Sequence, residues 1–276
     1  MPRSAAMSNH ASMNARPRPR PKSSLDRGYV HSGDLEMYYE QQGSGRPLLL
    51  LHAGFSSIAA SFNKLRPAFV DRWTTIAFEQ QAHGHTADID RPLSYEQMVE
   101  DTASAMRQLD IAEADVFGWS DGGVVALGLA TRHPQLVRRV AIIGAGYSPS
   151  AEPPEFKERM RRLEANNENL APFREAYHKV APHPEQWPTL IEKVRDGYFA
   201  FEGWSKDELR KLAAPLLVMV GDRDIVTLEH AIELFRLVPD GKLAVLPGSD
   251  HGAPVARVEW IKAMLLDFLQ PPTREE

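Results

Sequence analysis

The chain has 276 residues, 43% hydrophobic and 25% charged, with 32 Lys and Arg against 37 Asp and Glu, a net charge of -5. That content suffices for one large core, and the acidic balance excludes the broad basic surface of a nucleic-acid binder. The absence of cysteine removes disulfides, thiolate metal sites and cysteine nucleophiles and suits a reducing cytoplasm, and no run reaches the roughly 20 apolar residues of a membrane helix.

The first 26 residues hold no acid before Asp26 and alternate Arg with Pro in "ARPRPRPK". Such a stretch builds neither helix nor core, so residues 1–26 are predicted to be a disordered tail, without the apolar centre of a secretory signal. From Gly28 strands and helices alternate. "LEMYYEQQ" (35–42) runs into the turn cluster "GSGRP"; "LLLLH" (48–52) and "WTTIAF" (73–78) read as buried strands. Ser94 with Gln97 three residues on, ahead of Met98, Ala105, Met106 and Leu109, predicts a capped helix. "ADVFGW" (114–119) is a strand, 121–133 a helix stopped by His133 and Pro134, and "VRRVAIIGA" (137–145) a strand. The rhythm then breaks. "EFKERMRRLEANNEN" and "WPTLIEKVRDGYFAF" are helical in period but cut by prolines, predicting two to four short helices over 147–204. Strands resume at "LLVMV" (216–220) and "KLAVLP" (242–247), with helices at 228–237 and 255–269. The expectation is an α/β fold, a mostly parallel doubly wound sheet formed by 27–146 and 205–276, with 147–204 inserted as a helical lid.

Gly118, Ser120 and Gly122 form G-x-S-x-G. The bare pattern is weak, but it falls where a strand ends and a helix begins, the setting of a nucleophile elbow. Small flanking residues let strand and helix approach, and the helix start offers free N–H groups to a developing oxyanion. A serine nucleophile needs a base and an acid to orient it. Of ten histidines, His251 lies in a loop after a late strand, in "LPGSDHGAP". "LLVMVGDRDIVT" supplies Asp222 and Asp224 as candidate acids. The carboxyl ends of parallel strands share one edge, where such residues converge.

On these motifs residues 28–270 resemble the α/β-hydrolase family. "LLLLHAGFSS" is similar to its oxyanion loop, with Ala53 where glycine is usual, "QQAHGHT" to the loop after the next strand, "GWSDGG" to the elbow and "VGDRDIV" to the acid turn. The resemblance implies a catalytic triad of Ser120, His251 and Asp224, the last favoured over Asp222 as third residue after the glycine. It also implies an oxyanion hole from Gly54, Phe55 and Asp121, and no cofactor or metal. Esters and lactones are the expected small-molecule substrates, cleaved through an acyl-enzyme. Dehalogenases and epoxide hydrolases of the fold carry aspartate where Ser120 stands; carbon–carbon bond hydrolysis and perhydrolysis would use the same triad, and a noncatalytic small-molecule receptor is a further alternative.

Asp121, Trp119 and Tyr147 are the expected substrate contacts. The Asp121 carboxylate should turn from the reacting oxygen and either face the body, as an acid at a helix start, or face the pocket as an anchor for a substrate ammonium. "GWSDGG" resembles the elbow of biphenyl-hydrolase-like amino-acid ester hydrolases, which implies the second role. Phe173, Tyr177, Trp187, Tyr198 and Phe199 either line a pocket or pack the lid. His83 and His85, near Asp88 and Asp90, have H-x-H spacing but read as part of the family loop, while His52 is expected to bond the oxyanion loop and Glu79 to be structural.

Overall fold

The computed structural model describes residues 24–270. Eight strands form one sheet: β1 (Asp26–Ser32), β2 (Leu35–Gly43), β3 (Arg46–Leu51), β4 (Trp73–Phe78), β5 (Ala114–Trp119), β6 (Val137–Ile143), β7 (Leu216–Gly221) and β8 (Gly241–Leu246), in the order β1-β2-β4-β3-β5-β6-β7-β8. The β1–β2 and β2–β4 pairs are antiparallel and all others parallel. The helices are α1 (Ile58–Phe62), α2 (Tyr95–Gln108), α3 (Asp121–Arg132), α4 (Pro154–Arg161), α5 (Ala171–Val180), α6 (Trp187–Ala200), α7 (Lys206–Leu209), α8 (Leu228–Leu237), α9 (Ala253–Ala256) and α10 (Val258–Leu269).

The run "LLLL" is continuous because both faces of β3 are covered. Leu49 and Leu51 join Val99 and Met106 of α2, Val125 and Leu129 of α3 and Leu234 of α8 in one core. Leu48 and Leu50 point the other way, into a second core with Ile58 and Phe62 of α1 and Ile261 and Leu265 of α10. β3 therefore works as a two-sided wedge, which fixes its register: a slip by one residue would exchange the two cores.

Two expectations change. Asp26 already belongs to β1, paired with Gln41, so the tail is at least one residue shorter than 1–26; residues 1–23 lie outside those described. The antiparallel ladder holds this polar edge strand, helped by Ser32 Oγ donating to Asp101 on α2 at 2.8 Å. Where two to four short helices were expected over 147–204, α4 ends at Arg161, Asn167 accepts from the Asn169 N–H in the turn that follows, and Pro172 stands in the first turn of α5. The helix read over 255–269 is two, α9 and α10, broken at Arg257 (φ -120°, ψ 35°). The five-residue α1, capped by Ser57, carries too short a periodic signal to be read from sequence. Between β6 and β7 the chain forms α4, α5, α6 and the short α7, of which α4 to α6 make an insertion over the carboxyl edge of the sheet that shares its first core through Met160, Leu163 and Leu190. Among the described residues no helix is long and apolar enough to cross a membrane.

Candidate active site

The junction of β5 and α3 is a sharp corner. Ser120 has φ 54° and ψ -122°, a conformation that costs an L-residue roughly 1–2 kcal/mol. The surroundings hold it there: its N–H donates to Ile143 O at 3.0 Å, and its carbonyl accepts from the N–H groups of Gly123 (2.7 Å) and Val124 (3.1 Å). Glycine is required on both sides. A Cβ on Gly118 would stand 2.2 Å from Gly122 O, and one on Gly122 2.1 Å from Leu51 O. The motif is thus a packing requirement of strand against helix, with the hydroxyl lifted above it.

His251 Nε2 lies 3.0 Å from Ser120 Oγ, and His251 Nδ1 2.7 Å from Asp224 Oδ1. A carboxylate only accepts, so Nδ1 carries the proton and Nε2 presents a lone pair to the serine hydroxyl. Asp224 is oriented in turn: Oδ1 accepts from the Ile225 N–H at 2.7 Å and Oδ2 from the Gly221 N–H at 3.4 Å, and its side chain is 1% exposed. Asp222 does different work. Its carboxylate accepts from the N–H groups of Gly248 (2.9 Å) and Ser249 (3.1 Å), which hold its pKa below the ordinary carboxylate range and fix the loop that leads to His251.

Gly144, after β6, was not singled out in the sequence. Its φ is 58°, and a Cβ there would come within 2.8 Å of His251 Nδ1 and 3.1 Å of Asp224 Oδ2, so the missing side chain makes room for the dyad. The only sequence signal was a glycine closing a buried strand.

The N–H groups of Phe55 and Asp121 have no acceptor among the described residues, and Phe55 takes φ 57°, which turns the loop back over the serine. Gly54 has a second reason to be glycine: a Cβ would meet Asp121 Oδ2 at 2.3 Å. The usual glycine at Ala53 is dispensable, since its carbonyl is bonded by His52 Nδ1–H (2.8 Å) and the Ser56 N–H (3.3 Å). His52 Nε2 accepts from the Gln80 N–H at 3.1 Å, and burial depresses its pKa, so it stays neutral and braces the loop.

Above the serine lies a cavity of about 460 Å³, lined from the core by Trp119, Asp121 and Tyr95 and from the insertion by Glu152, Phe173 and Tyr198, among others. Asp121 is enclosed by protein but faces this space: Oδ1 accepts from Tyr95 OH at 2.9 Å, and burial raises its pKa against the lowering effect of that bond and of His251 and His52. Both faces offered by the sequence are thus used, one oxygen held by the body and the residue lining the cavity. Trp119 also lines it, with its indole N–H tying down the His251 carbonyl at 3.1 Å. Tyr147 does not. Buried at 2% exposure, it stacks on His230 and donates to Glu233 at 2.7 Å, because the chain leaves the cavity lining after Gly146. Trp187 and Tyr177 pack on each other inside the insertion, and Phe199 lies under Arg161.

His83 and His85 part company. His83 Nδ1 donates to Gln81 O, whereas His85 Nδ1 lies 2.9 Å from Glu79, whose other oxygen accepts from the Ile58 N–H. Glu79 is a brace for two loops. Among the described residues no group of three or more His, Cys, Asp or Glu is placed to hold a metal ion.

The sequence model of the Alpha/beta hydrolase family matches residues 48–262. The chain belongs to this family. It is 25% identical over 260 residues to serine hydrolase BPHL of Homo sapiens, covering 90% of this chain and 88% of BPHL. It is 24% identical over 261 residues to the putative carbamate hydrolase RutD of Azorhizobium caulinodans, covering 87% and 97%. Its fold superposes with a TM-score of 0.70 on the meta-cleavage product hydrolase CumD of Pseudomonas fluorescens IP01, at 21% identity, covering 85% of this chain and 94% of that one. These relatives are hydrolases of differing bond specificity, so family membership makes the chain a hydrolase without choosing its substrate.

Proposed function

We propose that the protein is a serine hydrolase that cleaves small carboxylic esters or lactones through an acyl-enzyme. The observation that carries this reading is the unbroken chain Ser120 Oγ, His251, Asp224, at 3.0 and 2.7 Å, opening into the 460 Å³ cavity. As Ser120 Oγ attacks the carbonyl carbon, His251 Nε2 takes its proton, and Asp224 stabilises the imidazolium that forms. The carbonyl oxygen becomes negative and is received by the unpaired N–H groups of Phe55 and Asp121. His251 then protonates the leaving alkoxide; water attacks the acyl-enzyme with His251 again as base, releasing the acid and restoring Ser120.

The likeness to BPHL, itself called a serine hydrolase, supports the chemistry. One feature narrows the substrate. A carboxylate facing an enclosed, mainly apolar cavity beside the nucleophile favours an acyl group carrying a protonated amine, with Asp121 as its partner. The test is Ser120→Ala, which retains fold and ligand binding while turnover of p-nitrophenyl butyrate and of norleucine methyl ester disappears. Activity within threefold of wild type would remove Ser120 from the chemistry.

A further inference from the structure

Resting on the reading of Asp121 as an amine partner, we propose that Glu152 is a second, specificity-determining anionic contact in the same cavity, and that the preferred acyl groups carry two basic centres, an α-amine and a side-chain amine.

Glu152 comes from the segment between β6 and α4 and lines the same space as Ser120 and Asp121. The two carboxylates are built alike. Tyr95 OH donates to Asp121 at 2.9 Å and Tyr198 OH to Glu152 at 3.1 Å, and Tyr95, Asp121 and Tyr198 share one wall. Within 4.0 Å no cation pairs with Glu152 among the described residues. A surface glutamate would sit in water, whereas this one is half-buried among Phe156, Met160, Leu163 and Phe173, at a cost that a bound cation would offset.

The groups acting on Glu152 come from each neighbouring element. Burial raises its pKa most, to about 7; Tyr198 on α6, the backbone N–H of Glu152 itself and Lys157 on α4 pull it down, and Asp121 on α3 pushes it up. Among the described residues Arg159 is the one Lys or Arg side chain in the cavity lining; it is exposed, with its guanidinium 5.0 Å over the Phe156 ring. Two carboxylates that repel each other across an enclosed space each gain when a cation arrives, and a dication satisfies both.

The sign of the pH dependence follows. Below pH 7 Glu152 is mainly protonated and a second ammonium finds no charge; above it the carboxylate is ionised and binding strengthens. The α-amine titrates in both members of an isosteric pair of ligands, so its effect largely cancels in the ratio of their affinities.

The experiment is calorimetric binding to the Ser120→Ala protein of methyl esters of 2,3-diaminopropionate, ornithine and lysine, each against its uncharged-chain isostere (2-aminobutyrate, norleucine, 2-aminoheptanoate). At pH 7.5 the best dibasic ester is expected to bind ten- to a hundredfold tighter than its isostere, the ratio falling toward one at pH 5.5. Adding Glu152→Gln should abolish the ratio, because the dibasic ester loses far more affinity than the norleucine ester. Should that variant not fold, Tyr198→Phe removes a bond that favours the charged form, and the midpoint of the ratio against pH should move above 7. A ratio near one for all three pairs, or one that survives Glu152→Gln, overturns the role of Glu152. Norleucine ester against methyl hexanoate reads Asp121 separately, so failure of the amine anchor is distinguishable from failure of this proposal.

Discussion

Gly144→Ala tests the geometry of the dyad without altering any of its groups. The new Cβ would stand 2.8 Å from His251 Nδ1. Nonbonded carbon contacts become favourable near ~3.5 Å, so the ring must retreat by about 0.7 Å or the β6 carboxyl end must move. Misplacing a catalytic group by roughly 1 Å costs about a hundredfold, which places the expected loss in kcat at about 30- to 100-fold with KM little changed. Alanine at φ 58° adds roughly 1–2 kcal/mol of backbone strain, which lowers stability without touching chemistry. Gly33→Ala separates the two effects: that residue has φ 59° in the turn between β1 and β2, with nothing within 4 Å of its would-be Cβ. Steady-state hydrolysis of p-nitrophenyl butyrate and urea unfolding should show both variants destabilised alike and only Gly144→Ala slowed. A Gly144→Ala kcat within threefold of wild type, or an equal loss in Gly33→Ala, would refute the steric argument.

Asp224→Asn should cost on the order of 10⁴ in kcat, because the neutral amide no longer enforces the Nδ1–H tautomer, whereas Asp222→Asn should leave kcat within tenfold; the reverse ranking would transfer the acid's role to Asp222. Asp121→Asn is expected to lower kcat/KM for norleucine methyl ester by about ten- to a hundredfold and to leave neutral esters nearly unchanged, as fits loss of a charge-assisted bond of about 1.5–3 kcal/mol. Equal losses on both would make Asp121 a structural acid. Burial and the neighbouring His52 push the pKa of His83 down to about 3, so between pH 6.5 and 3 the unfolded chain binds a proton that the native ring refuses, and stability falls as pH falls. Urea unfolding of His83→Gln should accordingly show a loss between pH 6.5 and 4.5 smaller than wild type's by about 2–3 kcal/mol; parallel curves would mean that the ring protonates in the native state.

The strands were legible because the Leu48–Leu51 run of β3 and the Leu216–Val220 run of β7 are covered on both faces and so are apolar without interruption, a signal contained in a few adjacent residues. The elbow was legible for a related reason: Gly118 answers a contact between consecutive elements, β5 and α3, while Gly122 lets α3 approach the end of β3 at Leu51. The order of Ser120, Asp224 and His251, each just past a strand, followed from the common edge of a parallel sheet. What the sequence left open were contacts across distance. Asp222 and Asp224 are chemically alike two residues apart, and only the packing of β7 beside β8 sends one to loop amides and the other to His251. Tyr147, expected as a substrate contact, is drawn under α8 by Glu233, whereas Tyr198, left open between lining a pocket and packing the lid, faces the cavity. Glu152, Tyr95 and Gly144 carried no motif at all, since their roles depend on three elements meeting at one point. Local pattern determined the elements and the nucleophile; side-chain packing between elements far apart in the chain decided which acid, which aromatic and which carboxylates surround it.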